Sequence, residues 1–165
     1  MKKKSILVAV VISSSILGAC TTAPPVQTEV QTPWVANTVS EIGTNLGRLY
    51  LKNTPMPATV VVAPAVKHDG QLRPSYYGES LATLISGALV NSGVPVVQTE
   101  STGWTSGHPV NTVVKRRAES ANAGVIALGS YHHLGDETVV SYRLVDARTG
   151  AVLAVSEGRI PGGIQ

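Results

Sequence analysis

The chain has 165 residues, of which 43% are hydrophobic and 14% are charged. This composition excludes a disordered chain and is sufficient for one domain with an extension. The single cysteine excludes an intrachain disulfide and a cysteine-rich metal cluster. The formal net charge is +3, but three of the 13 basic residues are Lys2, Lys3 and Lys4, and the remaining 10 balance the 10 acidic residues. Because the chain without this leader is close to neutral, we expect no nucleic-acid partner.

Residues 1–19 have the organisation of a secretory signal peptide. Three lysines precede an apolar stretch, residues 6–16, which is shorter than the roughly 20 residues of a transmembrane helix. The stretch ends in Leu17-Gly18-Ala19-Cys20, which resembles the lipobox of bacterial lipoproteins. The resemblance implies that a diacylglycerol is attached to the Cys20 thiol and that the signal is cut between Ala19 and Cys20. The alternative is an ordinary signal peptide in which Cys20 is incidental.

The resemblance also implies to which membrane the protein is sorted. In lipoproteins an Asp after the lipidated cysteine typically marks retention in the inner membrane, and Thr21 stands at that position here. We therefore expect an outer-membrane lipoprotein, anchored through the lipid on Cys20, whose domain faces the periplasm.

Residues 20–33 are predicted to form the lipidated tether. They are polar, contain Pro24, Pro25 and Pro33, and show no hydrophobic period. At a maximum of about 3.6 Å per residue, the tether spans less than about 50 Å. The domain that follows, residues 34–165, is thus held near its own membrane.

The first predicted helix starts at Trp34. Its apolar residues recur at alternating spacings of four and three, which predicts one buried helical face: Val35, Val39, Ile42, Leu46 and Leu49. Gly43 and Gly47 have the GxxxG spacing, for which close packing or chance is favoured over a dimer motif.

The remaining elements alternate between strands and helices. Strands are predicted at residues 59–63, 94–98, 125–131, 138–145 and 151–160, helices at 76–91 and 111–122, and polar loops at 67–74 and 99–109. Strands separated by helices are expected to lie parallel, and the last two form an antiparallel hairpin around residues 146–150. The sequence therefore predicts a single α/β domain: a mixed sheet of about five strands with helices packed on it.

Catalytic and metal-binding motifs are absent from the sequence. There is no G-x-S-x-G elbow, no H-E-x-x-H, no zinc spacing and no phosphate-binding glycine loop. His132 and His133 are adjacent on a strand, so they point to opposite faces and do not chelate one ion together. We expect no enzymatic activity, no cofactor and no metal. The carboxylates Asp136, Glu137 and Asp146 lie near opposite ends of one strand and do not form a catalytic pair.

Other charged and aromatic residues have structural or recognition roles. The basic run at residues 115–117 is expected to be a solvated helix face, and Arg143 can pair with Asp146 across the hairpin. Three large side chains, Tyr76, Tyr77 and Trp104, are candidates for partner binding. Packing at the edge of the core is the favoured alternative for all three.

Three stretches, residues 59–66, 75–100 and 123–161, resemble the FlgO-type domain of outer-membrane lipoproteins from flagellated Gram-negative bacteria. The matching positions are Ser75, Gly78 and Leu81, then Gly129 and Tyr131, and in the hairpin Arg143, Leu144, Asp146, Thr149, Gly150, Val152 and Ala154. The resemblance implies a non-catalytic role in flagellar assembly, with envelope or flagellar ring proteins as partners. The layout is also similar to the N-terminal domain of TolB and to lipoprotein activators of peptidoglycan synthases.

Two functions are compared on this basis. The first is a non-catalytic lipoprotein that binds protein partners in an envelope assembly, most simply the flagellum. The alternative is a lipoprotein regulator of a periplasmic cell-wall enzyme, against which the short tether argues. A hydrolase with a dispersed site at His68, His108 or His133 is a third and weaker hypothesis, and self-association is left open.

Overall fold

The computed structural model describes residues 33–68, 75–97 and 110–161 of the protein. Three helices and six strands lie within these residues: α1 Pro33–Asn53, β1 Val60–Val62, β2 Val66–Lys67, α2 Tyr76–Asn91, β3 Val96–Val97, α3 Val110–Ser120, β4 Val125–Leu134, β5 Glu137–Asp146 and β6 Val152–Pro161. The predicted order of helices and strands is confirmed except for β2, an additional strand that was not predicted. Helix α1 begins at Pro33, the last residue of the predicted tether, and proline is favoured at a first helical position.

The strands form one mixed, open sheet in the order β3-β1-β4-β5-β6, and β2 pairs with the second half of β4. Strand β1 is parallel to both β3 and β4, whereas β4, β5 and β6 are antiparallel neighbours. The predicted α/β class and the predicted strand directions are therefore confirmed. Helical crossovers lead to parallel strands, and short connections lead to antiparallel ones.

The prediction of a polar loop from residue 67 is wrong at its first residue. Lys67 belongs to β2 and pairs with Tyr131, and the N–H of His68 donates to the Tyr131 carbonyl at 2.8 Å. The reason is the length of β4, which continues to Leu134 rather than ending at residue 131. Strand β1 covers only its first half, so β2 supplies hydrogen-bond partners to the second half.

Strands β4 and β5 are joined by a tight turn that the sequence analysis did not predict. Leu134 pairs directly with Glu137, and Gly135 between them has φ +64°. Asp136 is not among the residues with positive φ. This combination is typical of the first glycine position of a type II′ hairpin turn.

The two faces of the sheet carry different cores. Helices α1 and α2 cover one face over a large cluster whose largest fully buried side chains include Tyr50, Tyr142 and Leu46. Helix α3 lies on the other face, over a small cluster with Val61 and Ile126, and packs against β1 and β4. Within the described part of the chain, the outer face of β5 and β6 has no helix over it.

The GxxxG pair packs α1 against α2, as the packing interpretation predicts. A Cβ at Gly43 would lie 2.5 Å from the Cβ of Ala88, and one at Gly47 would lie 2.8 Å from the Cβ of Ser92. The two backbones therefore approach closely because both positions lack a side chain.

The β5–β6 loop is shaped by Asp146. Its Oδ1 accepts hydrogen bonds from the backbone N–H of Arg148 at 3.1 Å, from that of Thr149 at 2.6 Å, and from the Thr149 hydroxyl at 2.8 Å. Gly150 then turns the chain with φ +76°. The predicted pairing of Arg143 with Asp146 is wrong, because residues three apart on a strand project from opposite faces.

Candidate functional site

The start of α2 is fixed by a serine that also contacts the sheet. Ser75 has extended backbone angles, and its Oγ accepts a hydrogen bond from the Gly78 N–H at 3.0 Å. This is an N-cap, which satisfies a backbone donor that the helix itself leaves unpaired. The same Oγ lies 2.8 Å from the hydroxyl of Tyr131 on β4. The first turn of the helix is therefore joined both to its own cap and to the central part of the sheet.

Gly78 brings that turn close to the segment between β1 and β2. A Cβ at position 78 would overlap the carbonyl oxygen of Ala65. The N–H of Ala65 donates to the Gly78 carbonyl at 3.1 Å. The backbone of α2 thus rests directly on the backbone of the chain below, which fixes the height at which Tyr76 and Tyr77 stand above the sheet.

The two adjacent tyrosines have different environments. The Tyr77 ring meets the Tyr131 ring edge to face, with centroids 5.0 Å apart, and packs against the large core. Tyr76 is 75% exposed. Tyr77 therefore has the edge-of-core role that the alternative interpretation describes, and Tyr76 is the one of the two that presents its ring to solvent.

The aromatic row continues along β4. The rings of Tyr131 and His133 are 6.2 Å apart at their centroids, and His133 Nδ1 lies 3.0 Å from the Thr138 hydroxyl. His132 is exposed on the opposite face, as strand alternation predicts. We call the group formed by Tyr76, Tyr77, Tyr131 and His133 the aromatic surface.

The groups of this surface are hydroxyls, aromatic rings and one imidazole. The Ser75 hydroxyl lies between the Gly78 N–H and the Tyr131 hydroxyl, and among the described residues no histidine contacts it. In the same residues no group of three or more His, Cys, Asp or Glu side chains is placed to hold a metal ion. The aromatic surface offers ring faces, one exposed phenol and one imidazole, which suit contact with a protein partner.

Several predicted site residues lie outside the described part of the chain. These are Ala19 and Cys20 of the lipobox, Trp104 and His108. Of the basic run, Lys115 and Arg116 are exposed on α3, in agreement with a solvated helix face. No helix in the described ranges has both the length and the apolar character that a membrane crossing requires.

Comparison with known proteins gives matches in structure alone. No protein-family model and no curated protein matches the chain. The C-terminal domain of LpoB from Salmonella enterica is 14% identical at a TM-score of 0.56, and the match covers 74% of this chain and 98% of that domain. The structure of LpoB from E. coli is 13% identical at a TM-score of 0.58, with 98% of this chain and 84% of that one covered. The domain shares the fold of LpoB. At these identities the likeness shows the fold and nothing further.

The FlgO-type assignment finds no support, because the structural matches reported above are of LpoB. The motif positions behind that assignment have roles in the fold. Ser75 caps α2, Gly78 admits the Ala65 backbone, and Gly129 admits the ring of Tyr142. Asp146 and Gly150 shape the last loop. These positions therefore predict architecture and leave the partner open.

Proposed function

We propose that the protein is a non-catalytic lipoprotein, anchored in the outer membrane through Cys20, that binds and regulates a cell-wall enzyme in the periplasm. The observation that carries the proposal is the LpoB fold, matched over 98% of the LpoB C-terminal domain, in a chain whose residues 17–20 resemble a lipobox. The fold has the order of helices and strands for which the sequence resembles lipoprotein activators of peptidoglycan synthases. No comparison supports a flagellar partner, so the regulatory function replaces the flagellar one as the leading hypothesis.

The aromatic surface is the proposed contact. Tyr76 combines 75% exposure with a backbone that is held by the Ser75 cap and the Gly78–Ala65 contact. An exposed tyrosine on a rigid support loses little conformational freedom when it binds, and for this reason tyrosines are enriched among the anchors of protein interfaces. His133, whose ring lies 6.2 Å from that of Tyr131, is exposed and supplies a polar group on the same strand.

The tether restricts where the enzyme can be met. Helix α1 begins at Pro33, so 12 residues separate Cys20 from the first helical residue. At about 3.6 Å per residue they reach about 40 Å. The part of the enzyme that is bound must therefore extend to within that distance of the lipid anchor, and a longer tether is expected to increase regulation of an enzyme that lies further away.

Site-specific crosslinking in cells tests the proposal. The full lipidated chain carries a photo-crosslinking amino acid either at Tyr76 or, as a matched control, at Glu119, an exposed position on α3. We expect a cell-wall synthase to be captured from position 76 and not from position 119. Capture of rod or ring proteins of the flagellar base from position 76 would overturn the regulatory function. Equal capture of the synthase from both positions would exclude the aromatic surface as the contact.

A second arm separates binding from folding. Tyr76→Ala is expected to leave the thermal unfolding midpoint unchanged, because this ring is mostly in solvent, and to abolish the crosslink made from a neighbouring exposed position. Tyr77→Ala is expected to lower the midpoint, since its ring packs on Tyr131. A Tyr76→Ala protein that still binds the synthase with full affinity would exclude this surface.

A further inference from the structure

Within residues 33–68, 75–97 and 110–161, strand β6 is an edge of the sheet, and no other strand lies on its outer side. Its one neighbour in the strand order is β5, and it runs for 10 residues from Val152 to Pro161. Long edge strands present unpaired backbone N–H and C=O groups, and proteins commonly blunt them with lysines, central prolines or a covering loop. Strand β6 contains no lysine, its proline is the terminal residue Pro161, and its one register irregularity lies near its start, between Val152 and Ala154.

The β4–β5 turn at Gly135 determines which residues of β6 direct their backbone N–H and C=O groups away from the sheet. A type II′ turn closes with a bond between its first and fourth residues, so Leu134 and Glu137 are a hydrogen-bonded pair. Hydrogen-bonded and non-bonded pairs alternate along an antiparallel ladder, so odd-numbered β5 residues bond to β4 and even-numbered ones to β6. The β6 residues that pair with these even-numbered β5 residues are also even-numbered; Gly158, for example, pairs with Val140. The backbone groups of Val155, Glu157 and Arg159 therefore point away from the sheet.

The side chains of the same three residues lie on the uncovered face. Gly158 and Ile160 face α1, where a Cβ at position 158 would lie 2.9 Å from Ile42. Strand alternation puts Val155, Glu157 and Arg159 on the opposite face, and all three are exposed. Glu157 and Arg159 therefore place one negative and one positive charge two residues apart on this face.

We propose that β6 pairs antiparallel with β6 of a second copy of this chain, on a two-fold axis through Gly158. In this register Glu157 lies opposite Arg159 of the partner subunit, and the two-fold repeats the pair in the other direction. Each pair joins residues whose backbone groups both point outward, so the two pairs exchange about four backbone hydrogen bonds. Opposite charges placed directly across from each other stabilise a strand pair, and like charges destabilise it.

Charge complementarity favours this register, and it favours a second copy of this chain as the partner. A shift of the axis to Glu157 would put two glutamates opposite each other, and a shift to Ser156 would put Glu157 opposite Val155 of the partner subunit. Arg159 is already held on the uncovered face by an ion pair with Glu137 at 3.3 Å. Because a guanidinium has five N–H donors, Arg159 can keep that pair and also meet the partner's Glu157. An isologous pair needs a self-complementary edge, and the Glu157–Arg159 alternation is one.

Charge reversal in the full lipidated chain tests the pairing by sedimentation velocity in detergent. The wild-type protein is expected to dimerise, and Glu157→Arg and Arg159→Glu are each expected to weaken the dimer about tenfold, because both pairs then become repulsive. An equimolar mixture of the two single variants is expected to restore dimers as heterodimers, since one chain then carries arginine at both positions and the other glutamate. The double variant Glu157→Arg with Arg159→Glu is expected to dimerise like the wild type.

Two controls make the result specific. Glu137→Gln removes the intrachain ion pair and Glu119→Arg reverses a charge on α3, and both are expected to leave the dimer intact. A monomeric wild type, or a mixture of the single variants that stays monomeric, would overturn the proposal. The pairing is independent of the regulatory function, because β6 and the aromatic surface share no residue and the Tyr76 crosslink is measured separately.

Discussion

The ring of Tyr142 occupies the space that a side chain at Gly129 would need. The two residues are directly paired across β4 and β5, and a Cβ at position 129 would collide with the phenol ring. Tyr142 is fully buried, and its ring lies under α1 and α2 as part of the large core. The glycine and the tyrosine are therefore a single packing unit, which neither residue reveals alone.

A methyl group at position 129 tests this unit. Gly129→Ala is expected to lower the free energy of unfolding by about 1–3 kcal/mol, because a close-packed core accommodates an added carbon only by strain. Gly87→Ala is the matched control: nothing lies within 4 Å of a Cβ at that exposed position in α2. That variant is expected to gain about 0.5–1 kcal/mol from helix propensity. Urea denaturation measures both, and equal stability of the two variants would exclude the Gly129–Tyr142 packing.

Removal of each of two tyrosine hydroxyls in the core is expected to change the stability of the fold in opposite directions. The Tyr142 hydroxyl is buried and makes no hydrogen bond within the described residues, and burial, with Tyr77 nearby, raises the pKa of this phenol. Tyr142→Phe is expected to leave stability unchanged or raise it by about 1 kcal/mol, because it removes a buried polar group that has no partner. Tyr131→Phe removes the bond to Ser75 and is expected to cost about 1 kcal/mol. If thermal unfolding shows a larger loss of stability for Tyr142→Phe than for Tyr131→Phe, the prediction that only the Tyr131 hydroxyl stabilises the fold is wrong.

Acid sensitivity is expected from the β5–β6 loop. Hydrogen bonds from Thr149, then from Arg148, lower the pKa of the Asp146 carboxyl below its ordinary value of 3.8. The unfolded chain therefore binds a proton at Asp146 more readily than the folded chain does. The stabilisation of the fold by the ionised carboxylate is present above the ordinary pKa, and it is lost as the pH falls through the lower pKa of the folded state. The stability difference between the wild type and Asp146→Asn is therefore expected to shrink as the pH is taken down through that range. Asp136→Asn, at the other end of β5, is the control, and a pH-independent difference for Asp146→Asn would contradict the prediction.

Lipidation is expected to depend on one residue. Cys20→Ala removes the thiol that the lipobox presents for acylation, so metabolic labelling with palmitate is expected to disappear and the protein to leave the membrane fraction. Ser13→Ala, in the apolar part of the leader, is the control and is expected to keep the label. Retention of label and membrane association in the Cys20→Ala protein would show that Cys20 is incidental and that the leader is an ordinary signal.

Local patterns were sufficient for most of the backbone. The apolar spacing from Val35 to Leu49 predicted α1, and the alternation of strands with helices predicted which strands lie parallel. The Asp146–Gly150 loop was recognised because its turn residues act within five positions of one another. In each case the interaction that shapes the element is local, so it leaves a mark on neighbouring residues of the chain.

The tertiary structure decided the features that depend on residues far apart in sequence. Strand β2 exists because β4 runs past β1, and Gly129 is needed because Tyr142 lies beside it. Periodicity indicates which face of an element is buried, but it does not identify what covers that face. The same limit applies to function: the sequence treats Tyr76 and Tyr77 alike, and only the approach of Tyr131 partly buries Tyr77 and leaves Tyr76 in solvent. The lipobox-like motif is visible in four consecutive residues of the sequence, whereas the aromatic surface and the β6 edge exist only once the sheet has formed.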